Sequence, residues 1–168
     1  MFKKFFAILF VILSMICTSC NKNNENTQDE FKNEYSSSSH DPNMALKEIY
    51  DDVKIKDIQI GDNNFVKDIL GLDSKDFSNY YIRKTDGKYG VADVYIIVPT
   101  EDNMEKVLKA YTAFRDSRAL DFKNYNIYNS LEITQDARIF SRGKYAVMIM
   151  MENADEAEEI IMKYLPAK

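Results

Sequence analysis

The chain has few of the residues that carry most enzyme chemistry. Its 168 residues include one histidine, two cysteines and no tryptophan. The histidine, His40, lies in a polar stretch with no rigid scaffold around it, so we interpret it as a solvated linker residue and not as a ligand or general base. Ser-His-Asp and Cys-His catalysis are therefore excluded for the sequence that follows.

Thiol chemistry and phosphate-binding loops are also excluded. Both cysteines, Cys17 and Cys20, lie near the N-terminus, so the remaining sequence has no disulfide, thiolate nucleophile or cysteine zinc site. None of the five glycines forms a GxGxxG or GxxxxGK[ST] pattern. We expect no cofactor.

The formal charge of −5 disfavours a polyanionic partner. Loss of a leader that contains Lys3 and Lys4 would make it two units more negative. Because nucleic-acid binding needs a clustered basic face and none is visible, we expect no nucleic-acid partner.

Residues 1–20 have the three parts of a secretory signal: an initial Lys3-Lys4 pair, an apolar run over 5–16, and small residues before Cys20. The run is shorter than the roughly 20 residues of a membrane-spanning helix. Thr18 and Ser19 before Cys20 resemble the bacterial lipobox, in which the cysteine receives diacylglycerol and becomes the N-terminus. We expect a lipoprotein signal peptide and lipidation at Cys20; the alternatives are a plain secreted protein and an uncleaved anchor.

The expected partner is thus the cell membrane itself. The lipid on Cys20 would anchor the chain to its extracytoplasmic face. Residues 21–40 are rich in Asn, Lys, Glu, Gln and Ser, and such a segment buries too little apolar area to fold. We predict a disordered tether over 21–40 and a single domain over 41–168.

Two similar hairpins dominate the domain. Residues 77–84 and 89–98 predict strands around an Asp86-Gly87 turn, and residues 131–141 and 144–152 predict a second pair around Gly143. Gly87-Lys88-Tyr89 aligns with Gly143-Lys144-Tyr145, and helices from Glu101 and Ala154 follow the two hairpins. This pattern predicts two ββα units.

The predicted fold class is α+β. We expect a two-layer sandwich with a four-stranded antiparallel sheet, the helices on one face, and an N-terminal helix that begins at Asp41-Pro42. A short helix near 64–72, ended by Gly71, is a further prediction. The uncovered sheet face would be a binding surface.

The remaining candidate site residues are charged or sulfur-containing. Arg115 and Arg118 lie one helical turn apart and could clamp an anionic ligand, or could form surface ion pairs with Asp116, Asp121 or Glu101. Convergence of Asp73, Asp76 and Asp93 in a cleft would favour an enzyme. Met148, Met150, Met151 and Met162 are more consistent with core filling than with a soft-metal site, and no calcium-loop pattern occurs.

Several short motifs together resemble a known family. They are Asp93 before the apolar strand 94–98, Arg115 in the long helix, the run Phe122-Lys-Asn-Tyr125-Asn, and the strand Gly143-Lys-Tyr145-Ala-Val147. Over about residues 45–151 the chain is similar to a DUF4358-like family of uncharacterised lipoproteins of Gram-positive, clostridial-type bacteria. The resemblance implies an extracytoplasmic lipoprotein and no particular activity.

We therefore expect a membrane-tethered, non-enzymatic binding or adaptor domain with an envelope or protein partner. One alternative is an envelope hydrolase that uses carboxylates or a metal. A second is a small solute-binding lipoprotein.

Overall fold

The computed structural model describes residues 40–168, which fall within one compact unit, Ser37–Lys168. The predicted signal peptide, the lipidation site Cys20 and the predicted tether up to residue 39 lie outside the described residues. His40, at the start of the described chain, is exposed, as expected for a linker residue.

The described chain contains four α-helices, five strands and one π-helical turn. In chain order they are α1 (Pro42–Tyr50), β1 (Gln59–Ile60), the π-helical turn (Phe65–Ile69), β2 (Phe77–Lys84), β3 (Ala92–Pro99), α2 (Met104–Phe122), α3 (Ser130–Gln135), β4 (Arg138–Arg142), β5 (Tyr145–Met151) and α4 (Ala154–Tyr164). The first helix begins as predicted, because the Asp41 carboxylate accepts a hydrogen bond from the Asn43 amide and Pro42 occupies the first turn.

The strands form one antiparallel sheet in the order β1-β2-β3-β5-β4. The α+β class and the two hairpins are confirmed, but the prediction of four strands was wrong. The fifth strand is β1, a two-residue edge strand in which Gln59 and Ile60 pair with Lys84 and Arg83. So short a segment is hard to identify from alternation of apolar residues.

Helices cover both faces of the sheet, so the predicted two-layer sandwich is corrected to three layers. On one face, α1 and α4 pack on alternate residues of β3 and β5 such as Val94 and Val147; we call this the α1–α4 core. On the other face, α2, α3 and the π-helical turn pack on residues such as Tyr95 and Met148, in the α2–α3 core. The expected uncovered sheet face is therefore absent from the part of the chain that the structure describes.

The internal repeat is also overturned. Its two units would be related by a two-fold axis between the antiparallel strands β3 and β5, perpendicular to the sheet, and such an axis keeps both helices on one face. Instead, α2 and α4 lie on opposite faces. The alignment of Gly87 with Gly143 also places Val94 of the α1–α4 core opposite Met150 of the α2–α3 core. The two connections differ as well. β3 begins at Ala92 and not at residue 89, so Gly87-Lys88-Tyr89 lies in a seven-residue loop, whereas Gly143 and Lys144 form a two-residue turn.

Some element boundaries differ from those predicted. The stretch predicted as a strand over 131–141 begins with α3, because Leu131 and Ile133 pack against α2 and only residues from Arg138 onward join the sheet. The long helix begins at Met104 and not at the predicted Glu101, and the Thr100 hydroxyl before it donates to the Lys75 carbonyl. The predicted short helix is a π-helical turn followed by Gly71 with φ +66°.

Candidate functional site

A buried carboxylate lies at the start of β3. Asp93 has no exposed surface, and its Oδ1 accepts hydrogen bonds from the Thr85 amide and hydroxyl, both at 2.7 Å. The Tyr95 hydroxyl donates to its Oδ2 at 3.2 Å. Burial raises the pKa of Asp93, while Arg118 and the Thr85 hydrogen bonds act in the opposite direction.

Arg118 of α2 provides the positive charge beside this carboxylate. Its Nη2 lies 3.5 Å from Asp93 Oδ2 and donates to the Thr85 carbonyl at 2.8 Å. The guanidinium also lies over the rings of Phe114 and Phe122, at 5.9 and 5.4 Å from their centroids. The pair is largely desolvated, since the Arg118 side chain is 14% exposed. Asp93, Arg118 and Thr85 therefore connect β3, the end of β2 and α2.

The loop between β2 and β3 is held closely over the end of α2. An ideal Cβ on Gly87, whose φ is +86°, would lie 2.7 Å from Cζ of Phe122. One on Gly90 would lie 3.5 Å from Ile55 Cδ1 and 3.7 Å from Cβ of Tyr128. Segments 51–57, 85–91 and 123–129 thus meet at one end of the sheet, which we call the loop end.

This close approach gives a prediction about Gly87. An alanine at position 87 would have to adopt the left-handed backbone that Gly87 adopts, and its Cβ would displace the Phe122 ring. We therefore expect Gly87→Ala to lower the free energy of unfolding by about 2–4 kcal/mol. The matched control is Gly71→Ala, because Gly71 has φ +66° but no atom within 4 Å of its ideal Cβ. We expect the control to lose about 1 kcal/mol in urea denaturation. Equal losses would show that the Phe122 contact is unimportant.

Three exposed tyrosines lie at the loop end, and we call them the tyrosine surface: Tyr89, Tyr125 and Tyr128. Their side chains are 37%, 68% and 70% exposed. The ammonium groups of Lys56 and Lys88 lie 5.9 and 5.1 Å from the centroid of the Tyr89 ring. Tyr125 and Tyr128 therefore present most of their surface to solvent.

The backbone at the loop end is unusual. Positive φ angles occur at Asp57, Tyr128 and Asn129, with values of 62°, 51° and 55°, and a fourth non-glycine case is Asp102, outside the loop end. Such conformations are costly for a bulky residue such as tyrosine and persist only where the surroundings impose them. The conformation that exposes the Tyr128 ring is thus maintained against an intrinsic backbone preference.

A cavity of about 170 Å³ lies beside the loop end, on the α1–α4 side. Its inner surface is apolar and comes from Ile49, Val91, Ala92, Met151, Ala157 and Ile160. Its rim carries the exposed side chains of Asp52, Lys54, Glu152 and Glu156, and it also includes Glu48. Ile55 contributes to this cavity and lies against Gly90, so the cavity adjoins the tyrosine surface.

The predicted site residues are not brought together. Arg115 pairs with Asp116 through Nε and Nη2, whereas Arg118 is directed inward to Asp93, so the two guanidiniums do not face a common site. Asp76 is buried and pairs with Lys106 near the start of β2, at the end of the sheet away from Asp93. A lysine hydrogen bond lowers the pKa of Asp76. The Asp73, Asp76 and Asp93 carboxylates therefore do not converge in a cleft.

Three of the four candidate methionines lie in the hydrophobic cores. Met148 and Met150 lie in the α2–α3 core and Met151 in the α1–α4 core, as strand alternation predicts. Within residues 40–168, no three histidine, cysteine or carboxylate side chains are grouped so that they could hold a metal ion. Over the same residues, no helix has the length and apolar character needed to cross a membrane.

Sequence reasoning missed the Asp93–Arg118 pair and the tyrosine surface. One signal was present for the pair, since Asp93 interrupts a strand that is otherwise apolar and a buried charge there needs a partner. Its partner, 25 positions later on a helix, could not be identified without knowing which face α2 covers. The exposure of Tyr125 and Tyr128 had no sequence signal.

Comparison with known proteins gives one match. A family model described as Domain of unknown function (DUF4358) matches residues 51–151, more than half of the chain. The matched region begins after α1 and ends with the last residue of β5, so it includes the whole sheet, the Asp93–Arg118 pair and the tyrosine surface. No curated protein and no solved structure matches the chain.

Proposed function

Because the chain belongs to the DUF4358 family, whose description names no activity, we propose a function from its own residues. It is a lipoprotein anchored through Cys20 on the extracytoplasmic face of the cell membrane, of the kind found in clostridial-type Gram-positive bacteria. Its folded domain is a non-enzymatic binding or adaptor module for an envelope protein. The tyrosine surface is the binding surface.

The observation that carries this proposal is the exposure of three tyrosines on a rigid frame. Tyrosine offers a large amphipathic contact area and loses little side-chain entropy on binding, which is why it is enriched in protein interfaces. The Asp93–Arg118 pair and the Phe122 contact with Gly87 fix the loops that carry these rings. A surface fixed in advance binds with a smaller ordering cost.

The position of the tyrosine surface supports a partner away from the membrane. The chain enters the domain at Asp41, at the start of α1, whereas the other end of α1 reaches the loop end, where the Tyr50 hydroxyl donates to the Ala92 carbonyl at 2.8 Å. Tyr145 begins β5, whereas the loop end adjoins Met151 at the end of the same strand, about 20 Å away. A tether of 20 residues has a root-mean-square span of about 25 Å. Attachment at the Asp41 end would therefore leave the tyrosine surface free to face away from the membrane.

Site-specific photocrosslinking in living cells tests this proposal. A photoreactive benzoylphenylalanine replaces Tyr125 in the full chain, and the matched control carries it at Ser78, an exposed residue at the other end of β2. We expect a discrete crosslinked protein from position 125, and we expect it to disappear when Tyr89 and Tyr128 are both replaced by serine.

Two results would contradict the proposal. One is the absence of a crosslinked protein from position 125, and the other is the same set of products from positions 125 and 78. Circular dichroism and the urea midpoint of each variant establish whether it is folded, so that a lost product is attributable to the surface.

A further inference from the structure

We infer that the cavity beside the loop end is an anchor pocket for one lysine or arginine side chain of a protein partner. This inference deepens the proposed function and rests on it, because the partner would cover the tyrosine surface and insert this side chain. Three properties of the cavity carry the inference: its size, its apolar interior and the charge of its rim.

The size of the cavity suits one side chain and is smaller than that of pockets for drug-sized ligands. Pockets for drug-sized ligands measure about 300–1,000 Å³, and this cavity measures about 170 Å³. Protein interfaces commonly place one anchoring side chain in such a pocket, near the centre of a larger contact surface. Ile55 lines the cavity and also lies against Gly90, which follows Tyr89 of the tyrosine surface. A partner bound to the tyrosine surface would therefore extend directly over the cavity.

The lining combines an apolar interior with a charged rim. Met151 and Ala157 contribute the interior and are 8% and 2% exposed, whereas Asp52 and Glu156 on the rim are exposed. Lysine and arginine match this arrangement, since each buries an apolar stem and keeps a charged group near water. A purely apolar side chain would leave the rim carboxylates without a partner.

The sign of the rim charge favours a cation. Glu48 is already engaged with Lys163 and Tyr164, and these hydrogen bonds lower its pKa, so its charge is largely balanced. The remaining rim has three carboxylates, on Asp52, Glu152 and Glu156, against the one ammonium of Lys54. The N-terminus of α4 adds only about half a positive charge. A net negative rim therefore attracts a basic group.

Methionine-methyl NMR on the full chain in detergent micelles tests the inference. Met151 lines the cavity, while Met148 lies in the core on the other face and is an internal control. The probes are acetylated, amidated Gly-Lys-Gly and Gly-Arg-Gly peptides, with norleucine and glutamate in the central position as controls. We expect a saturable shift of the Met151 methyl with the basic peptides, no shift of Met148, and weaker binding at high salt.

A matched pair of variants tests the role of the rim. Glu156→Gln removes a rim charge and should weaken binding of the lysine peptide about three- to five-fold. Glu159→Gln changes an exposed glutamate of the same helix that does not line the cavity and should leave binding unchanged. No Met151 shift, an equal shift with the norleucine peptide, or equal effects of the two variants would overturn the inference. Crosslinking from position 125 tests the tyrosine surface independently of the cavity. A crosslinked protein without a Met151 shift would overturn only the anchor pocket, whereas the absence of a crosslinked protein would contradict the proposed function.

Discussion

Replacing Asp93 with alanine is expected to reduce the free energy of unfolding by about 3–5 kcal/mol. The substitution would leave the largely buried Arg118 guanidinium without its counter-charge and the Thr85 amide without its acceptor. Both groups would remain desolvated, since they lie beneath the loop between β2 and β3. The urea denaturation midpoint and slope of the full chain measure the loss.

A surface ion pair provides the control for this prediction. Asp116 pairs with Arg115 on the same helix as Arg118, but its side chain is 62% exposed. Asp116→Ala should therefore lose less than about 1 kcal/mol. The double variant Asp93→Ala with Arg118→Met should recover part of the loss, because it removes the unpaired charge as well. A loss below 1 kcal/mol for Asp93→Ala would show that the pair does not stabilise the loop end.

Replacing Cys20 with alanine is expected to abolish incorporation of radiolabelled palmitate into the chain in its bacterial host. Each buried methylene of an acyl chain contributes about 0.8 kcal/mol, so two or three chains anchor a protein stably. The matched control is Cys17→Ala, three positions earlier in the sequence, which should still incorporate label. Label retained by Cys20→Ala, or lost only with Cys17→Ala, would contradict the assignment of the lipidated residue.

The local elements were largely predictable from the sequence because their signals are local. The Asp41-Pro42 start of α1 and the two hairpins followed from capping and turn chemistry. A helix after each hairpin was also predicted, and these helices are α2 and α4, whose apolar residues lie in the two cores. None of these predictions required knowledge of which elements become neighbours.

The sequence contained a signal for three layers, but the apparent repeat led to the prediction of two. Every residue of β5 is buried, and the apolar residues 94–97 of β3 are buried on both faces. A strand that is apolar on both faces requires cover on both faces. That requirement calls for helices on both sides of the sheet, and in the structure α2 covers one side and α4 the other. The similarity of Gly87-Lys88-Tyr89 to Gly143-Lys144-Tyr145 was misleading, because the first lies in a seven-residue loop and the second begins with a two-residue turn.

The candidate site was less predictable because it depends on long-range contacts. The Asp93–Arg118 pair joins residues of different layers, and the cavity is formed by α1, β3, β5 and α4 together. The exposure of the Tyr128 ring follows from a left-handed backbone at positions 128 and 129 that no local pattern specifies. Only the assembled sheet brings these groups to one end.

Hydroxyl-radical footprinting compares the anchored chain in intact cells with the purified chain in detergent, and it tests most directly whether the tyrosine surface is occupied. Tyr125 and Tyr128 are the probes, and Ile69, which is 56% exposed at the β1 edge of the sheet, is the reference. We predict that oxidation of the two tyrosines relative to Ile69 falls several-fold in cells. An unchanged ratio would contradict the assignment of this surface as the binding site.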